Sequence, residues 1–115
     1  MTMREIKFRA WHTGECFMIE WDFILDDGIL PYFSSDDYIL MQYTGLKDRN
    51  GVEIYEGDIV RTRKGRTDTE YVTDVIHEHT MFRLRENKTL FVDGRCMIGC
   101  EVIGNIHENP DLLDG

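Results

Sequence analysis

Apolar and polar residues alternate over short stretches along most of this chain, which is the period-2 pattern of half-buried β-strands. The pattern begins at residues 6–11, and residues 16–19 are expected to return antiparallel after a turn at residues 13–15. A third strand is predicted at residues 38–43. No segment shows sustained helical periodicity, and the turn residues between 26 and 37 make that stretch loop-like.

Two turn signals lie close together in the middle of the chain. Asn50-Gly51 predicts a tight hairpin of type I′, because both residues tolerate the positive φ angles of that turn. Glu56-Gly57-Asp58 predicts a second turn a few residues later. Both are flanked by β-branched and aromatic residues, so this segment specifies architecture much more than chemistry.

Short strands joined by tight turns are predicted for most of the remaining chain. The expected strands are residues 58–62, 71–77, 81–85, 89–92 and 100–106. This spacing is typical of a small closed or partly open barrel. Pro110 is well placed to begin a single helical turn near the end. The pattern as a whole predicts an all-β protein.

Length and composition predict one domain without a membrane anchor. The chain has 115 residues, 42% of them hydrophobic, which is enough for one core. It contains neither an apolar run of membrane-spanning length nor a secretory leader, so we expect no membrane association. Its three cysteines, an odd number, favour reduced thiols in the cytoplasm over a disulfide framework.

The net charge of −9 is concentrated in one stretch. Residues 15–37 contain seven carboxylates and no Lys or Arg, so they contribute −7 and leave −2 for the rest. These candidate partner-binding residues are Glu15, Glu20, Asp22, Asp26, Asp27, Asp36 and Asp37. Such acidity repels nucleic acid and is also a common solubility device. If it is functional, the stretch binds a protein partner or mimics nucleic acid toward one.

A short basic segment, in contrast, indicates nucleic-acid binding. The candidate nucleic-acid-binding residues are Arg61, Arg63, Lys64 and Arg66. On a hairpin tip they would contact phosphates, with nearby aromatic residues as stacking faces. The same charges suit a solvated loop or a protected strand edge. The acidic balance of the chain disfavours nucleic acid without excluding it.

No motif indicates catalysis or a metal. His77 and His79 would share one strand face, and the spacing of Cys96 and Cys100 is within the range of zinc ligands, but neither pair has the partners of a complete site. The chain lacks a Gly-rich phosphate loop and a nucleophile elbow. We therefore expect no enzyme activity, no cofactor and no metal.

Three blocks of sequence carry a family resemblance. Residues 3–11, residues 41–60 and residues 101–110 resemble, in order, the opening, central and closing blocks of the YopX family of phage and prophage proteins. The stretch between residues 16 and 38 matches less strongly.

The resemblance implies a single YopX-like domain over residues 1–115. Within it we expect an N-terminal β-hairpin region at residues 1–45, a small SH3-like barrel at residues 46–107 and a tail at residues 108–115. It also implies a mobile-element origin and the bacterial host cytoplasm, and it carries over no catalytic or binding residues. The leading hypothesis is a non-enzymatic module that binds a host or phage protein, with homo-oligomers possible.

Overall fold

A computed structural model describes residues 6–28, 30–63, 70–78, 81–85 and 100–113. These residues form eight strands, two short α-helices and a 3-10 helix. The strands are β1 (Phe8–His12), β2 (Phe17–Ile19), β3 (Tyr38–Lys47), β4 (Glu53–Tyr55), β5 (Asp58–Arg63), β6 (Glu70–Glu78), β7 (Met81–Leu84) and β8 (Glu101–Asn105); the helices are α1 (Trp21–Asp27), α2 (Leu30–Ser34) and the 3-10 helix Pro110–Leu113.

The strands form two four-stranded sheets, with the orders β2-β1-β3-β4 and β7-β6-β5-β8. All the resolved pairings are antiparallel. One sheet is curled into a half-barrel. This curled sheet is the part of the expected SH3-like barrel that the structure shows. The prediction of a mainly β protein is therefore confirmed.

Contacts divide the chain into two compact units, Met1–Tyr43 and Thr44–Gly115. The first unit contains the N-terminal hairpin, in which Trp11 pairs with Met18 on one side and with Ile39 on the other. Its core consists of Ala10, Ile24 and Tyr32, with partly buried apolar residues around them. The domain boundaries drawn from the sequence stay predictions.

Two helices occupy the stretch that the sequence pattern marked as loop, so that expectation was wrong. Helix α1 buries only Ile24, and α2 contributes Tyr32 to the same core. Helices this short are marginal by propensity and are stabilised by packing on a sheet. Pro31 is compatible with α2 because the first turn of a helix has no internal partner for its N–H groups.

The core of the second unit is built from residues of most of its strands rather than from one stretch of the sequence. Ile54, Val60, Val75, Leu84 and Cys100 form this cluster and are essentially fully buried. Strand β5 lies between β6 and β8, and its pairing with β8 shifts register between Ile59 and Val60, which marks a bulge. The predicted strands at 58–62, 71–77, 81–85 and 100–106 are confirmed within a few residues.

The hairpin between β3 and β4 is real, but its turn is not type I′. Gly51 has a φ of 82°, whereas Asn50 is absent from the described residues with positive φ. The N–H of Gly51 donates to the carbonyl of Asp48 at 3.0 Å, and that of Asp48 donates to the carbonyl of Val52 at 2.8 Å. This is the three-residue pattern of a type I turn followed by a left-handed glycine.

Some predicted features lie outside the described residues. They are the strand at residues 89–92, His79, Cys96, Lys64 and Arg66.

Candidate partner-binding surface

The seven carboxylates of residues 15–37 are all exposed in the first unit. Glu15 lies in the β1–β2 turn, and Asp36 and Asp37 lie in the turn before β3. Glu20 occupies the N-cap position of α1, where its side chain makes no capping hydrogen bond. The remaining three, Asp22, Asp26 and Asp27, are on α1, so the expectation that Asp26 and Asp27 lie in a loop was wrong. Helix α1 extends as far as Asp27, and its one buried residue, Ile24, packs in the core with Ala10 of β1.

Backbone hydrogen bonds bring the two acidic turns together. The backbone N–H of Thr13 donates to the carbonyl of Asp37 at 2.8 Å, and the Thr13 hydroxyl donates to the same oxygen at 3.2 Å. The N–H of Glu15 donates to Nδ1 of His12 at 2.9 Å. Glu15 and Asp37, which are 22 residues apart in the sequence, therefore lie at the same end of the N-terminal sheet.

The ion pairs seen among the described residues involve none of these seven carboxylates. They join Arg49 and Arg61 to Glu101, and Arg85 to Asp74. The negative field of the acidic surface is therefore directed at solvent. Such a field raises the local concentration of cationic partners and speeds their association.

An apolar groove opens beside these carboxylates. It has a volume of about 350 Å³ and lies between strand β2 and the two helices. Its lining residues are Phe17, Met18, Ile19, Phe23, Asp27 and Tyr32. Phe23 is 67% exposed and Phe17 is 42% exposed, so much of the apolar lining faces water. Strand β2 lies at the edge of its sheet.

One polar pair lies in the groove wall. The Tyr32 hydroxyl donates to Oδ2 of Asp27 at 2.8 Å, and the body of Tyr32 is buried. This hydrogen bond to a carboxylate, with burial adding to it, raises the pKa of Tyr32 above its ordinary value. Asp27 is itself exposed, so its second oxygen remains available at the rim of the groove.

Aromatic contacts fix the shape of the groove from behind. Tyr32 packs against Tyr38 with ring centroids 4.8 Å apart, and His12 stacks on Phe17 at 5.1 Å. Trp21, the first residue of α1, contacts Phe8 of β1 with ring centroids 6.0 Å apart. Two of the lining residues, Phe17 and Tyr32, are therefore held by packed rings, which favours a groove that is formed before any partner arrives.

A buried carboxylate in the second unit is structural. Asp48 is 6% exposed, and its Oδ1 accepts hydrogen bonds from the N–H groups of Asn50 and Val52, while Oδ2 accepts one from Val102. Burial opposes the charge, but these three donors and the nearby Arg49 outweigh it, so the pKa of Asp48 is lowered. The carboxylate fastens the β3–β4 turn to β8.

The closing block is also explained by folding. Oδ1 of Asn105 accepts hydrogen bonds from the N–H groups of His107 and Glu108, and its Nδ2 donates to Glu108 at 2.8 Å. Oδ1 of Asn109 accepts one from the N–H of Asn105. The expected helical turn at this end is confirmed as the 3-10 helix.

The basic segment is only partly described. Arg61 is exposed on β5 and lies 3.8 Å from Glu101, which also binds Arg49 at 2.9 Å. Arg63 ends β5, and its backbone pairs with Glu70. The nucleic-acid-binding expectation for this segment stays a prediction.

The described ranges contain two free thiols, the exposed Cys16 and the buried Cys100. Burial, with nearby carboxylates adding to it, raises the pKa of the Cys100 thiol to about 12, which leaves a poor nucleophile. Among the described residues, no three His, Cys, Asp or Glu side chains are grouped to hold a metal ion. None of the helices in these ranges has the length and apolar character needed to cross a bilayer.

The fold and this surface define a small, mainly β protein that pairs a curled sheet with an acid-rimmed apolar groove. A family model described as YopX protein matches residues 26–114, so the chain belongs to the YopX family. The structure is similar to the crystal structure of protein EF1440 from Enterococcus faecalis, with a TM-score of 0.73 and 28% identity over 96% of this chain and 99% of that one. No curated protein matches the chain.

Sequence reasoning found the carboxylates but missed the groove. Phe17, Phe23 and Tyr32 come from a strand and two helices, and no periodic pattern joins them. The available signal was the density of aromatic and aliphatic residues within an otherwise acidic stretch. Large apolar residues that remain exposed beside charges are typical of interaction sites.

Proposed function

We propose that this YopX family protein is a non-enzymatic interaction module that binds a host or phage protein in the bacterial cytoplasm. The observation that carries the proposal is the acidic surface of the first unit, whose seven carboxylates are exposed. A partner with a basic face would gain both association rate and specificity from this charge. Anionic nucleic acid and anionic membranes would be repelled by it.

The proposal is tested by capture from bacterial lysate with two variants of equal charge change. Asp22→Asn/Asp26→Asn removes two carboxylates from the acidic surface. Glu70→Gln/Asp111→Asn removes two exposed carboxylates from the second unit and serves as the control. We expect the first variant to lose most of a partner that wild type and control both retain, when captured proteins are quantified by mass spectrometry and re-tested with purified partner.

Equal capture by all three proteins would refute the acidic surface as the binding site. A partner displaced by DNA from wild-type protein would favour the nucleic-acid-mimic version of the proposal. Binding of DNA by the protein itself at low salt would instead support the basic-segment alternative.

A further inference from the structure

We propose that the apolar groove is an anchor site for a protein segment in which large apolar side chains are flanked by Lys or Arg. This inference rests on the proposed function and names the chemistry of the partner. It follows from two features that the structure places side by side: an apolar lining open to water and the exposed carboxylate of Asp27 within that lining.

The groove supplies the apolar half of the recognition. Phe17, Phe23 and the flank of Ile19 line it, and the first two remain substantially exposed. Burying such surface against a partner side chain is favourable, roughly in proportion to the area removed from water. A preformed cavity near the lower end of the usual range for binding sites suits a few side chains rather than a folded domain.

The rim supplies the charged half. Asp27 belongs to the groove lining, and its carboxylate accepts only the Tyr32 hydroxyl among the hydrogen bonds described for it. Asp22 and Asp26 lie on the same short helix, and no Lys or Arg occurs anywhere in residues 15–37. A cationic side chain next to the apolar anchor would therefore meet the carboxylate of Asp27, and no Lys or Arg of this segment would compete for it.

Charge also distinguishes this occupant from a second copy of the chain. Two copies that met through this face would bring their acidic segments together, and like charges across an interface are unfavourable. A basic segment of another protein has the complementary charge. The groove is thus better matched to a heterologous partner than to itself.

The probe is an array of immobilised peptides in three sets. The first set has Lys-rich flanks and central residues drawn from Leu, Ile, Met and Phe. The second keeps the flanks but has Ser or Gln at the centre, and the third keeps the apolar centre but has Glu-rich flanks. We expect the purified protein to bind members of the first set at least about tenfold more tightly than matched members of the other two.

Two matched pairs of variants assign that binding to the groove. Phe23 and Leu25 are both exposed on α1, but only Phe23 lines the groove; Phe23→Ser should weaken binding about tenfold, and Leu25→Ser should not. Asp27→Asn should weaken it several-fold, whereas Asp26→Asn, outside the lining, should have a smaller effect. Circular dichroism verifies that each variant is folded.

Several outcomes would overturn the inference. They are no preference for apolar centres, no binding by any first-set peptide, or equal effects of Phe23→Ser and Leu25→Ser. Sedimentation that shows a dimer dissociated by Phe23→Ser would assign the groove to a second copy.

If lysate capture depends on Asp22 and Asp26 while the array shows no apolar preference, the proposed function stands and the anchor site fails. If capture is independent of charge, the acidic surface is not the binding site; if wild-type protein captures no specific partner, the proposed function itself fails.

Discussion

At the scale of single residues, the most consequential side chain is Asp48. It looks like an ordinary polar turn residue in sequence, yet its carboxylate accepts three backbone hydrogen bonds and is nearly fully buried. Hydrogen bonds to a charged acceptor are stronger than neutral ones, and leaving buried N–H groups without an acceptor is costly. Asp48 therefore serves folding, whereas the exposed carboxylates of the first unit remain available for a partner.

We predict that Asp48→Asn lowers the free energy of unfolding by about 2–4 kcal/mol. An amide has one acceptor oxygen, so its NH₂ group must face a backbone N–H donor. Urea unfolding followed by far-UV circular dichroism measures the change. Asp36→Asn, at an exposed turn position, is the control and should change stability by less than about 0.5 kcal/mol. Equal effects of the two substitutions would contradict the structural role of Asp48.

The same variant carries a pH prediction. Because the pKa of Asp48 is lower in the folded state than its ordinary value of 3.8, the unfolded chain binds the proton more readily. The contribution of Asp48 to stability is thus complete above that ordinary value and is lost as the pH falls through the folded-state pKa. The stability difference between wild type and Asp48→Asn should shrink as the pH falls below about 4. If the stability difference between wild type and Asp48→Asn stays constant over that pH range, this prediction is wrong.

At the scale of elements, the closing block shows why particular residues are required. Gly104 is the close-approach position where β8 passes the 3-10 helix. A Cβ atom there would lie 2.6 Å from Oδ1 of Asn109 and 2.9 Å from Cδ1 of Leu112. Oδ1 of Asn109 is the acceptor for the N–H of Asn105, so displacing it also breaks a hydrogen bond.

We predict that Gly104→Ala destabilises the protein by about 1–3 kcal/mol, as overpacking typically does. Removing the obstructing side chain tests the reason. The double variant Gly104→Ala/Asn109→Ala should be destabilised by less than the sum of the destabilisations of the two single variants, because the clash with Asn109 is relieved. Strict additivity in thermal or urea unfolding would show that contact with Asn109 is not the cause.

At the scale of the whole molecule, uneven charge is the dominant property. Residues 15–37 contribute −7 to the net charge of −9 and lie on the surface of the first unit, where their carboxylates repel one another. In the second unit, the pairs of Arg49 and Arg61 with Glu101 are partly exposed and contribute little by comparison, because water and salt screen them. The pair of Arg85 with the buried Asp74 is screened less by salt. Salt should then relieve more repulsion than it removes attraction.

We expect the midpoint of thermal unfolding to rise by about 2–4 °C between roughly 0.01 M and 0.2 M sodium chloride. The variant Asp22→Asn/Asp26→Asn should start with a higher midpoint and respond less to salt, since part of the repulsion is already gone. Scanning calorimetry measures both quantities. A midpoint that falls with salt in wild type would show that attractive pairs, rather than the acidic surface, dominate.

The sequence by itself determined most of the strands, the hairpin turn, the final helical turn and the family, because alternation and turn residues are local signals. It also identified the seven carboxylates of residues 15–37, which the structure shows to be exposed. It did not determine α1 and α2, which are too short for helical periodicity and depend on burying Ile24 and Tyr32. The sequence pattern predicted the wrong turn type at Asn50-Gly51. The buried Asp48 carboxylate, which accepts a hydrogen bond from the N–H of Val102, favours the three-residue loop that the structure shows. Only the tertiary structure brought residues of a strand and two helices together as a groove, since packing between distant segments leaves no periodic signal.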